Sequence, residues 1–131
     1  MSEQTPQTTP ARPDTFAGAT RQQVQAWRNE YGEDAVKTLS IPLGGRPFQV
    51  ILRKPGRLDY EKHTETLMKL REGKVAQAMS ANRALVMTCT LAPDTATLAA
   101  ALDQYPALAD KLAEPALSMA GADAEVREET F

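Results

Sequence analysis

Residues 39–60 read LSIPLGGRPFQVILRKPGRLDY. Two apolar, alternating runs flank a Gly-Gly pair, and glycine tolerates the positive φ that a two-residue hairpin turn requires. With Gly44 and Gly45 as the turn, Leu43 faces Arg46, Ile41 faces Phe48 and Leu39 faces Val50. Those apolar residues, Leu39, Ile41, Phe48 and Val50, then share one face, while Ser40 and Gln49 take the other. Pro42 and Pro47 oppose each other where backbone donors point away from the partner strand, so neither removes a ladder bond. They do obstruct a third strand at that position. A lone hairpin is marginal in water, so its apolar face needs a cover, which the helices that follow can supply.

Pro55-Gly56 ends the second strand, and a helix from about Arg57 carries Leu58, Tyr60, Thr64, Leu67, Met68 and Leu70, with Gly73 as a break or bend. Val75, Ala78, Met79, Asn82, Leu85, Val86 and Cys89 then recur at three- and four-residue steps, which predicts a second helix. Pro93 and Pro106 mark two further helix starts, the first with Leu98, Leu102 and Tyr105 and the second with Leu108, Leu112 and Met119 ahead of Gly121. Pro115 is expected to kink or split that last helix. On the other side of the hairpin, Thr20 and Gln23 form a capping-box pattern, and Val24, Trp27 and Tyr31 share a helical face that ends at Gly32. Trp27, the one tryptophan, reads as a packing anchor in register with its apolar neighbours. The expectation is an α+β, mostly α domain: one β-hairpin at about 36–53 packed with four to five helices. It spans 19–121, between a disordered polar tail (1–18) and an acidic one (122–131).

The chain has 131 residues, 42% of them hydrophobic, which suits one domain with a modest core. A single cysteine excludes an internal disulfide framework and a CxxC metal site, in keeping with a reducing compartment. The opening MSEQTPQTTPARPDT has no apolar stretch of the secretory type. Ala84 to Ala92, the most apolar run, is far shorter than the ~20 residues of a bilayer span. A cytoplasmic, non-secreted protein without a membrane segment is expected. The net charge of −2 conceals an asymmetry: residues 53–83 carry eight basic and four acidic side chains, residues 92–131 two and eight. Such a split suits self-association, two different partners, or solvated faces of separate helices.

Catalytic signatures are missing. His63 is the one histidine, with Asp59 a turn before it. No second histidine or cysteine completes a ligand set, so the pair reads as a surface helix pair. Cys89 sits on an apolar stripe and reads as a small buried hydrophobe. Gly44-Gly45 lacks the GxxxxGK[ST] or GxGxxG frame of a phosphate loop, and Ser40, Ser80 and Ser118 lack a nucleophile-elbow context. No enzyme, cofactor or metal is expected. Arg46, Arg53, Lys54 and Arg57 could neutralise phosphates. Against a nucleic-acid regulator stand the pI of about 5.4, the interleaved Asp59, Glu61 and Glu65, and the want of an aromatic platform.

The order of a polar N-terminal segment, a hairpin ending in VILRKPGRLDYEKH, a charged helix, an Ala/Leu/Val/Met helix and a closing LDQYPALADKLAEPALSMAG resembles small tail assembly chaperone-like proteins of tailed phages and prophages. The resemblance runs from about Val36 to Gly121 and rests on RKPGRLDY, with its Asp59-Tyr60 pair, and on YPALADKLAEPALSMAG. It implies a protein that binds the tape measure protein and recruits tail tube subunits in the host cytoplasm, without catalysis or cofactor. A structural tail or baseplate component is the alternative. Position alone marks Trp27 and Tyr31 on the first helix, and Arg53, Arg57 and Tyr60 at the hairpin-helix junction, as candidate protein contacts.

Overall fold

A computed structural model describes residues 14–69 and 75–131. Its centre is the hairpin of β3 (Val36–Leu43) and β4 (Arg46–Arg53). The register is the expected one, with Leu43 opposite Arg46, Ile41 opposite Phe48 and Leu39 opposite Val50. Gly44 and Gly45 have φ of 57° and 83°, both positive as a type I′ turn demands. A third strand, β5 (Thr90–Ala92), pairs antiparallel with β4 at Ile51 and Leu52. It docks at the end of β4 remote from Pro47, where no proline blocks it.

Both faces of the sheet are covered. On one, Val50 and Leu52 are fully buried with Leu85, Val86, Cys89, Leu98, Leu102, Leu108 and Leu112, and Leu39, Ile41, Leu43 and Phe48 pack against them. These partners come from α3 (Val75–Cys89), α4 (Thr95–Gln104) and α5 (Leu108–Met119). On the other, Val36 and Ile51 pack with Ala19, Val24 and Ala92, and with the partly buried Phe16, Trp27 and Leu91. That second cover belongs to the N-terminal segment: β1 (Thr15–Phe16), β2 (Ala19–Thr20) and α1 (Arg21–Tyr31). Ile51 and Leu52, adjacent and both fully buried, therefore stabilise opposite sides of the sheet, each by about 1.5–3 kcal/mol.

Thr15 to Gly18 were assigned to the polar tail; instead Thr15 and Phe16 pair with Thr20 and Ala19 in a miniature hairpin. Gln49 fastens it, its Oε1 accepting from the N–H of Ala17 at 2.9 Å. Residues 1–13, the rest of that tail, lie outside the described residues, as do Leu70 and the break at Gly73. The α1 capping box forms as expected: Thr20 Oγ1 accepts from Gln23 N at 3.1 Å, and Gln23 Oε1 accepts from Thr20 N at 2.8 Å. Gly32, at φ 113°, ends the helix.

The expected split at Pro115 does not occur: α5 runs as one helix from Leu108 to Met119. The carbonyl that loses its donor belongs to Lys111, an exposed residue, so water can serve it. The buried stripe of Leu108, Leu112 and Ala116 continues through the turn that contains the proline. Residues 124–131 carry no regular secondary structure and are exposed throughout.

Candidate protein-binding surface

The junction between β4 and α2 (Arg57–Met68) is built around Asp59. Gly56 N donates to Asp59 Oδ2 at 2.9 Å, closing the first turn of α2. Arg53 Nη1 reaches the same oxygen at 3.2 Å. The Gly56 bond above all, helped by Arg53 and opposed by partial burial, holds the Asp59 carboxyl below its usual range. Arg53 also donates to Lys54 O at 3.1 Å and to Thr88 O, near the end of α3, at 3.4 Å. Its guanidinium lies 5.9 Å from the centre of the Tyr31 ring. Arg53 thus ties α1, β4, α2 and α3 together, and its side chain is only 19% exposed.

Two residues of the basic group stand apart from this clamp. Arg57 pairs with Glu61 at 3.1 Å on the open surface, a contact worth a few tenths of a kcal/mol. Arg46 sits at the hairpin turn, roughly 23 Å along the strand from Arg53 at ~3.3 Å per residue. The sequence placed Arg46 in one cluster with Arg53, Lys54 and Arg57; the strand separates them.

His63 is not the surface residue its spacing from Asp59 suggested. It is 6% exposed, the one buried polar residue among those described, and its Nε2 lies 2.7 Å from Asn82 Oδ1 on α3. Asn82 Nδ2 donates in turn to Asp110 Oδ1 on α5 at 2.8 Å. With its amide N–H committed to Asp110, Asn82 presents oxygen to His63, so Nε2 carries the proton in this contact. The chain of bonds links α2, α3 and α5, and it sets how α2 is rotated about its own axis.

That rotation decides what α2 shows to solvent. With His63 inward, Tyr60, Thr64 and Met68, spaced four residues apart along α2, form an open, shallow surface patch together with Glu61, Glu65 and Lys69. Met68 is 79% and Leu58 69% exposed, and Tyr60 39%. The sequence reading placed Leu58 and Met68 on this helix with no sign that they face out. The available signal was phase: His63, Leu67 and Asp59 share a face opposite Leu58. Of the other proposed contacts, Trp27 is partly buried in the second cluster and Tyr31 stands at its edge, 39% exposed, against Arg53. The structure brings Tyr31 and Arg53 together and leaves Tyr60 and Arg57 exposed on α2.

Cys89 is fully buried, and desolvation pushes its thiol up to about 11. Among the described residues no three His, Cys, Asp or Glu side chains converge to hold a metal, and no helix is long and apolar enough to cross a membrane.

The fold recurs in an uncharacterised protein, rbstp2171, of Bacillus stearothermophilus, whose structure superposes with a TM-score of 0.60 at 20% identity, over 80% of this chain and 98% of that one. No curated protein matches the sequence. A domain of unknown function, DUF6848, matches residues 27–129, from the last turns of α1 to the acidic end, and the chain belongs to that family.

Proposed function

We propose that this protein is a non-catalytic binding module that acts as a tail assembly chaperone, holding an apolar helical segment of a tape measure protein until tail tube subunits enclose it. The observation that carries the reading is the outward stripe of α2. Tyr60, Thr64 and Met68 form an open surface patch, and Leu58 stands exposed further round the helix. An amphipathic helix can pack against such a stripe through residues at three- and four-residue spacing, and methionine adapts to differing partners. Glu61, Glu65 and Lys69 on the rim supply charges that orient it. Tyr31, Arg57 and Tyr60 are the accessible members of the expected contact set, while Trp27 and Arg53 support them from within.

This role places the protein in the host cytoplasm with tail proteins as partners. The nucleic-acid reading loses support, since Arg53 is consumed by Asp59, Thr88 O and Tyr31, Arg57 pairs with Glu61, and Arg46 is remote. Co-expression with the tape measure protein tests the proposal. A soluble complex, together with purified virions that contain none of this chain, is the expected result. Stoichiometric copies in virions would assign it to the tail or baseplate structure instead.

A further inference from the structure

The sheet order β3-β4-β5 leaves the outer edge of β3 open. Across a two-residue turn Leu43 and Arg46 exchange both backbone bonds, and the pattern alternates along the ladder. Thr38 and Ser40 therefore direct their N–H and C=O groups away from β4. Both residues are exposed, and among the described residues no backbone group meets those donors. Pro42 closes the edge at the turn end, so the six residues from Val36 to Ile41 remain available.

Beside this edge lies a cleft of about 330 Å³ that includes Thr38 in its wall. Phe16, Ala19 and Val24 supply apolar lining, and Arg21, Arg28 and Asp14 the charged part. Arg28 is only loosely engaged, with Glu33 Oε2 at 3.9 Å. The site thus suits an extended segment with an acidic character and a large apolar side chain.

Residues 124–131, AEVREETF, have that chemistry. Glu125, Glu128 and Glu129 outweigh Arg127, and Val126 and Phe131 are fully exposed. We propose that this segment of one copy adds as a strand to the Val36–Ile41 edge of a second copy, its glutamates against Arg21 and Arg28 and an apolar side chain against Phe16 and Val24. A second copy is the fitting acceptor because α5, which leads into the segment, packs on the Val50 and Leu52 face, whereas the cleft opens on the Ile51 face. One donor segment meeting one acceptor edge is a head-to-tail contact, which propagates into chains or closes into a ring.

Sedimentation velocity over a concentration series reads the association, and a labelled peptide of residues 122–131, titrated onto the chain lacking 124–131, reads the site. The full chain should grow from monomer to dimer and beyond, and the shortened chain should stay monomeric. The peptide should bind the shortened chain less tightly as salt rises. Thr38→Pro removes an outward donor at the same kind of position that Pro42 already occupies, so it should leave the melting temperature nearly unchanged. It should weaken the peptide about tenfold or more, as loss of one or two hydrogen bonds implies. A full chain that stays monomeric at every concentration, association that survives the truncation, or peptide binding indifferent to Thr38→Pro would each overturn the proposal. Peptide binding to the shortened chain with a strictly monomeric full chain would assign the edge to the copy's own tail and overturn the exchange between copies.

Discussion

Asn82→Ala removes the middle of the chain of bonds that orients α2. Asn82 accepts from His63 Nε2 at 2.7 Å and donates to Asp110 Oδ1 at 2.8 Å. Asp110 is half-buried and can turn to water, so its loss is partly made good. His63 cannot, at 6% exposure, and a buried donor left without a partner costs about 1–3 kcal/mol. Together with the lost Asp110 bond, the substitution should destabilise by about 2 kcal/mol. For a domain of this size that lowers Tm by about 6–10 °C. Thermal melts followed by circular dichroism would measure it, with Ser80→Ala on the exposed part of the same helix as a control expected within about 0.5 kcal/mol of the parent. Hydrogen exchange should also quicken in α2 before the rest of the domain, because α2 loses its fixing point while the sheet core is untouched. A Tm indistinguishable from that of Ser80→Ala would refute the argument that His63 and Asn82 hold α2 in place.

Three further outcomes follow from particular contacts. Gly44→Ala should destabilise by about 1–2 kcal/mol, since the site has φ of 57° and an added Cβ would lie 2.8 Å from Tyr105 Oη; Gly45→Ala, with open space around it, should cost less, and chemical denaturation that ranks them the other way would contradict the turn geometry. In the fold the Asp59 carboxyl titrates below its ordinary 3.8, so its contribution is fully present above that value and is lost as pH falls through the folded value. Asp59→Asn should accordingly flatten the acid side of the stability profile below about pH 4, as measured by urea titrations at several pH values. Cys89, its thiol pushed up to about 11 by burial, should resist a thiol-specific disulfide reagent at pH 8 in the folded protein and react fully in denaturant.

The hairpin was legible because three local signals agreed: the glycine pair, the alternation of apolar residues, and prolines at positions that need no donor. Its second buried face was written in the same stretch. Val50, Ile51 and Leu52 are consecutive, and a run of that kind marks a strand covered on both sides; the polar Ser40 and Gln49 nearer the turn masked it. β5 was hidden for another reason. Thr90 to Ala92 continue the apolar run of α3 with no glycine or proline between them, and only pairing with Ile51 and Leu52 draws those residues out of the helix. His63 illustrates the limit of spacing arguments. The carboxylate one turn before it, Asp59, turns to Gly56 and Arg53, while its actual partner stands 19 residues away. Once His63 is inward, Leu58 and Met68, each five positions from it and so roughly 140° round the helix, face out by helical geometry.

The measurement that tests the central claim most directly is partner capture by the exposed face of α2. Tyr60→Ser combined with Met68→Lys changes exposed side chains, so the domain should keep its Tm, while co-expressed tape measure protein should fall out of the soluble complex. Capture undiminished by this double substitution, with the fold intact, would contradict the assignment of the binding surface to α2.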